Sequence, residues 1–197
     1  MTRISTIAAR PRRTTAALAT ALIAAGVAVG TGADFTSRSA NPANTFSAGS
    51  LAMDNSKDNA AIFSPSDMKP GGAPQTGTVD IENRGSLTGS FTLSRDQLES
   101  TDGGATNPSS FASMVNLTVT DCGTFDGGTA PVCGDSDDRS VYGGRTLAGM
   151  DDQVQLGDFA AREKHRYQFA AALDGAAGNE YQGDTSSARF VWDATQK

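Results

Sequence analysis

The chain has 197 residues, of which 38% are hydrophobic and 19% charged, with two cysteines, one histidine and a formal net charge of −6. The acidic balance argues against nucleic acid and anionic membrane surfaces as partners. A single histidine leaves little material for imidazole-based metal or acid–base chemistry.

In chain order, an export signal comes first. Arg3, Arg10, Arg12 and Arg13 form a positive segment without an acid, and Ala16 to Val29 is a run of fourteen small or apolar residues with one Thr. Gly30-Thr31-Gly32-Ala33 follows, and Asp34 is the first acid of the chain. That order of charge, apolar run and small residues predicts a secretory signal peptide over residues 1–33, cleaved between Ala33 and Asp34. A membrane span needs about 20 apolar residues, which disfavours an uncleaved anchor. Cleavage leaves 12 of the 16 Lys+Arg against all 22 Asp+Glu, a net charge near −10 on a length that suits one domain. The expected location is outside the cell, in the extracellular matrix or at the cell surface, without membrane attachment after cleavage.

Asp34–Asn44 is polar and lacks a hydrophobic face, so residues 34–44 read as a flexible arm ahead of a domain at 45–197. In Thr45–Met53, Phe46 and Ala48 fall on even positions, then Leu51 and Met53 on odd ones. The phase change at Gly49-Ser50 predicts a bulged strand. Val79 and Ile81 alternate with Thr78, Asp80 and Glu82; after Asn83-Arg84-Gly85-Ser86, Leu87, Gly89, Phe91 and Leu93 alternate with polar residues. Two alternating runs around a short Asn/Gly turn predict a β-hairpin. Gln97–Ser110 reads as a polar loop. Val115, Leu117 and Val119 then form a strand running into Cys122, and Gly123–Arg139 is a second polar loop. Tyr167, Phe169, Ala171 and Leu173 mark another strand, as do Phe190 and Trp192 near the end. Short helical turns are expected at Ser94–Glu99, Ser110–Met114 and Thr146–Met150. Half-buried strands of this kind pack as an all-β antiparallel sandwich with long polar loops and few short helices.

Cys122 and Cys133 are the two cysteines, with ten residues between them in a Gly/Asp/Thr-rich stretch. In an oxidising compartment the pair predicts a disulfide, worth about 3 kcal/mol by loop-closure entropy. No C-x-x-C spacing favours a metal site or redox pair instead.

Several short segments together resemble a known family. These are Phe35-Thr36, Asn44-Thr45-Phe46-Ser47-Ala48-Gly49, Pro70-Gly71, Ile81-Glu82-Asn83-Arg84-Gly85-Ser86-Leu87, Leu156-Gly157-Asp158, Asn179-Glu180-Tyr181-Gln182-Gly183 and the aromatic strand Ala188–Ala194. In this order behind a signal peptide, they are similar to the TasA/camelysin (CalY) family of secreted bacterial biofilm-matrix and cell-surface proteins. The resemblance implies a jelly-roll-like sandwich, processing by a dedicated SipW-type signal peptidase, and self-assembly into fibres. It also implies that an N-terminal segment adds as a strand to a neighbouring copy. Here that donor would be Asp34–Phe46, with Phe35, Thr36, Thr45 and Phe46 the residues that carry the likeness. The long Gly123–Arg139 loop and its cysteines have no counterpart in the family's pattern.

Camelysin-type metallopeptidase activity is the enzymatic reading that the same resemblance raises. Zinc catalysis wants about three protein ligands and an open position. His165 is the lone histidine, set in Arg162-Glu163-Lys164-His165-Arg166, and no H-E-x-x-H is present. His165 is expected to be an exposed residue at the start of a strand. The Asp135-Ser136-Asp137-Asp138 loop has carboxylates enough for weak calcium binding, but Arg139, Ser140 and Thr146 stand where an EF-hand needs a ligand, a glycine and a glutamate. No G-x-S-x-G is present, and Trp192, alternating with Phe190, reads as core rather than as a sugar platform. The sequence thus predicts a non-enzymatic structural protein without a resident cofactor, with a monomeric envelope- or glycan-binding module as the alternative.

Overall fold

The period-two patterns become strands, and their apolar faces close on one another from two sheets. The computed structural model describes residues 48–104, 110–150 and 153–197. Eight strands are present among them: β1 (Met53–Asn55), β2 (Gln75–Asn83), β3 (Gly89–Thr101), β4 (Val115–Thr124), β5 (Arg139–Thr146), β6 (Val154–Phe159), β7 (Lys164–Leu173) and β8 (Thr185–Gln196). One sheet has the order β1-β2-β7-β4-β5 and the other β6-β3-β8, and all pairs are antiparallel. Residues from Ala48 to Lys197 form one compact unit.

Among the described residues that order is a jelly roll with one place unfilled. In a complete jelly roll, two Greek keys give two four-stranded sheets. Here β2-β7-β4-β5 is one of them, and β6-β3-β8 supplies three strands of the other. The fourth place, beside β8, would belong to the first strand of the roll, but β1, the first described strand, pairs with β2 in the opposite sheet. The predicted jelly-roll-like sandwich is therefore present, with β1 displaced. The predicted signal peptide (1–33) and arm (34–44) lie outside the described residues.

The core follows the predicted phases. Val79, Ile81, Phe91, Leu93, Leu117, Val119, Tyr167 and Phe169 are all at most 1% exposed. Rings from the two sheets interlock, Tyr167 meeting Trp192 at 5.1 Å and Phe169 meeting Phe190 at 4.7 Å between centroids, while Phe91 stacks on Phe159 at 4.1 Å within the β6-β3-β8 sheet. Offset and tilted ring pairs at these distances add to burial.

The predicted hairpin is not formed. Both of its strands exist, but β2 lies in one sheet and β3 in the other, so residues 84–88 make an arch between layers. Two physical causes act together. Pairing β2 with β7 and β3 with β8 lets the apolar faces of both strands meet across the core. Asn83, fully buried, then holds the arch: its side-chain amide donates to the carbonyls of Leu87 (2.8 Å), Phe159 (3.0 Å) and Ala160 (3.0 Å), and its Oδ1 accepts from Gly85 N–H at 3.0 Å. The arch takes its remaining partners from the incoming chain, Arg84 N–H bonding Ala52 O and Ser86 N–H bonding Ser50 O.

Other expectations are corrected too. The bulged strand at Thr45–Met53 is reduced, within the described residues, to the three-residue β1, because residues 50–52 bond to the arch instead. The Ser94–Glu99 helical turn and the first part of the Gln97–Ser110 loop are strand, since β3 continues to Thr101 against β8. Thr146–Met150 is a turn closed by Gly149 N–H on Thr146 O. Only Ser110–Met114 winds as expected, in a 3-10 turn at Phe111–Ser113. β5 and β6 had no sequence prediction, because their bulges interrupt the alternation: two register shifts separate β5 from β4, and one at Phe91/Thr92 separates β6 from β3.

Candidate functional site: an open strand edge and a buried ionic cluster

The sandwich has four edge strands, and they differ in what they offer another chain. An edge presents unpaired N–H and C=O groups, which native proteins blunt by shortness, bulges or charge. β1 is three residues long, β6 is six and bulged, and β5 is interrupted by two register shifts. β8 is different. It runs twelve residues, and each one from Thr185 to Gln196 has a partner on β3; the irregularity between Arg95 and Gln97 falls on β3. Among the described residues no strand pairs with its other side. Its only charges are Arg189, which pairs with Asp96 across to β3, and Asp193, and it contains no proline.

The inner face of β8 also lacks full cover. Trp192 is buried, but Phe190, Ala188 and Ala194 are only partly so, although they pack against the core. This is the flank of the jelly-roll place that no described strand fills, opposite β2. Nearby in the inner layer, Ile62 and Phe63 of the β1–β2 connection pack against the core, with the Phe63 ring 6.3 Å from that of Phe169.

The second candidate gathers at the other end of the inner layer. His165 is the second residue of β7, as a strand-start position predicts, but it is not exposed. Its phase is that of Tyr167 and Phe169, so the ring points inward, with the side chain 13% exposed and stacked on Phe159 at 4.2 Å. Nδ1 lies 3.0 Å from the Asp121 carboxylate and Nε2 lies 3.3 Å from Glu163. Asp121 is brought there by β4, whose register jumps between Asp121 and Thr124 around Gly123 at φ +103°. A bulge re-aims a side chain in this way.

The buried Asp121 carboxylate is well supplied with donors. It accepts from Gly123 N–H at 3.1 Å and from Arg139 at 3.1 Å. Burial alone would raise its pKa, but the hydrogen bond and charge of His165, with those from Gly123 and Arg139, hold it below the ordinary carboxylate range. Burial, reinforced by the Asp121 charge, pushes the Tyr167 phenol upward, which keeps it protonated. Both ring nitrogens of His165 are thus committed to carboxylates. Among the described residues no group of three His, Cys, Asp or Glu side chains is arranged to hold a metal ion. The cluster clamps β4, β5 and β7 together.

Cys122 and Cys133 form the expected disulfide, with Cα atoms 5.0 Å apart. It ties the Gly123–Arg139 loop to β4, one residue after Asp121. Asp135, Asp137 and Asp138 stay on that loop at the surface, Asp138 turning back to accept from Gly134 N–H. The structure does not bring them to Asp121. Ala33, Asp34, Phe35, Thr36, Thr45 and Phe46 lie outside the described residues. Sequence reasoning missed the edge itself: Thr185–Gln196 holds neither Gly nor Pro, and that uninterrupted run was the available signal.

Comparison with protein-family models and with curated proteins returns no match.

Proposed function

We propose that this chain is a secreted structural subunit of the extracellular matrix or cell surface, which assembles by laying its N-terminal arm, Asp34–Phe46, along β8 of the next copy. The observation that carries this reading is the place beside β8 that no described strand fills, flanked by a regular edge twelve residues long. A thirteen-residue arm and a twelve-residue edge are matched in length. Strand addition supplies affinity through main-chain hydrogen bonds along such an edge. The donor and acceptor surfaces are different parts of the chain, so the contact is head-to-tail and propagates into a filament. Export by the signal at residues 1–33 and the resemblance to the TasA/camelysin family support the same reading. Against the peptidase reading stands His165, both of whose nitrogens face carboxylates.

The test compares residues 34–197 with residues 45–197 by size-exclusion chromatography and negative-stain microscopy across concentration. Filaments from the longer form and folded monomers from the shorter support the proposal. Monomers from both, over a wide range of concentration and salt, refute it and leave the envelope-binding module in its place.

A further inference from the structure

The β1–β2 connection enters the sandwich in an unusual way. A Cβ built on Gly77 of β2 would lie 2.5 Å from Phe63 Cβ and 2.6 Å from Ile62 O, so the backbone of this segment rests directly on the inner face of β2. Gly77 pairs with Phe169, whose ring meets Phe190 of β8. Residues 62 and 63 therefore rest on the part of β2 that, in a complete jelly roll, faces the strand beside β8.

The segment is also weakly held. From Ala61 to Pro65 no backbone group bonds to another backbone group among the described residues. One side-chain clip, Gln75 to the backbone of Ser66, closes its far end. Asn59 at φ +56° and Asp67 at φ +50° bracket it in the left-handed region, which costs little for these two residue types and turns the chain sharply at both ends.

We propose that residues 60–66 are a withdrawable wedge, whose seated form over Gly77 and strand addition at β8 are mutually exclusive. This rests on the reading of β8 as the acceptor edge and adds its regulation. A subunit keeps its own flank filled until an incoming strand replaces Phe63, which restrains assembly at low concentration. The apparent affinity of the edge is then the intrinsic affinity scaled by the fraction of molecules with the wedge out.

The experiment measures binding of a labelled peptide of residues 34–46 to the compact unit 48–197 by fluorescence anisotropy. Wild type is compared with Phe63→Ala, which weakens the wedge, and with Gly77→Ala, whose new Cβ displaces it while leaving Phe63 in place. Thermal melts confirm that each variant is folded. Release of one half-buried phenylalanine should tighten peptide binding about tenfold in Phe63→Ala, with Gly77→Ala moving in the same direction. Equal binding by all three overturns the wedge and leaves the acceptor edge standing. Weaker binding by Phe63→Ala also overturns it, because Phe63 would then be part of the acceptor. Binding by none removes the acceptor reading, and the wedge with it.

Discussion

Replacing Asn83 with Ala should unfold the arch that makes this chain a sandwich. Asn83 is fully buried, and its side chain makes four hydrogen-bonded contacts: to Leu87 and Gly85 within the arch, and to Phe159 and Ala160 at the β6–β7 connection. Ala160 O keeps a second donor, Glu163 N–H, so its loss is partial. Gly85 N–H and Leu87 O lose the partner Asn83 supplies. A net hydrogen bond is worth about 1 kcal/mol, and an orphaned buried group costs about 1–3 kcal/mol. The expected destabilisation is therefore about 3–4 kcal/mol, a large share of the 5–15 kcal/mol typical of a whole domain. Urea unfolding followed by Trp192 fluorescence should show the midpoint falling by roughly 2 M at an unchanged slope. Asn83→Asp keeps the shape and the Gly85 contact but turns a carboxylate toward three carbonyl oxygens, so its loss should be at least as large. A cost below about 1 kcal/mol for Asn83→Ala, or tolerance of Asn83→Asp, would show that packing alone holds the arch.

Two further outcomes follow from the ionic cluster and the disulfide, beside the assembly and wedge experiments above. Asp121 has a folded pKa below its unfolded value, so its contribution is present above about pH 4 and is lost as pH falls through the folded value. Asp121→Asn should therefore lower stability at neutral pH and flatten the acid limb below pH 4, read from urea midpoints across pH; an unchanged acid limb would contradict the clamp. Reduction, or the pair Cys122→Ser and Cys133→Ser, should cost about 3 kcal/mol through the eleven-residue separation, without altering peptide binding at β8. A change in that binding would mean that the loop reaches the edge.

The likeness lies in turns, in the arm and in the strand Ala188–Ala194, whereas the reading of β8 as the acceptor edge and the wedge come from strand order and from one glycine contact. Three edges of the sandwich are short or bulged, and the one that is neither lies beside the place that no described strand fills. The peptide and truncation experiments separate these contributions.

Much of the secondary structure was legible in the sequence, because half-buried strands write a period of two. Val79 and Ile81, Phe91 and Leu93, Leu117 and Val119, Tyr167 and Phe169 all point where alternation places them, and the expected disulfide joins Cys122 to Cys133. Strand partnership was not legible. A polar turn with Asn and Gly looks the same whether it closes a hairpin or arches between layers, and what decided it was Asn83 finding carbonyls 76 and 77 residues away. Bulges hid β5 and β6, since each inserted residue resets the phase. The inward turn of His165 could have been read from its phase with Tyr167, but its carboxylate partner on β4 depends on a bulge at Gly123. The sequence by itself thus determined which faces are apolar. The tertiary structure alone decided which strands share a sheet, which edge stays open and what rests against it, because those depend on contacts between residues far apart in the chain.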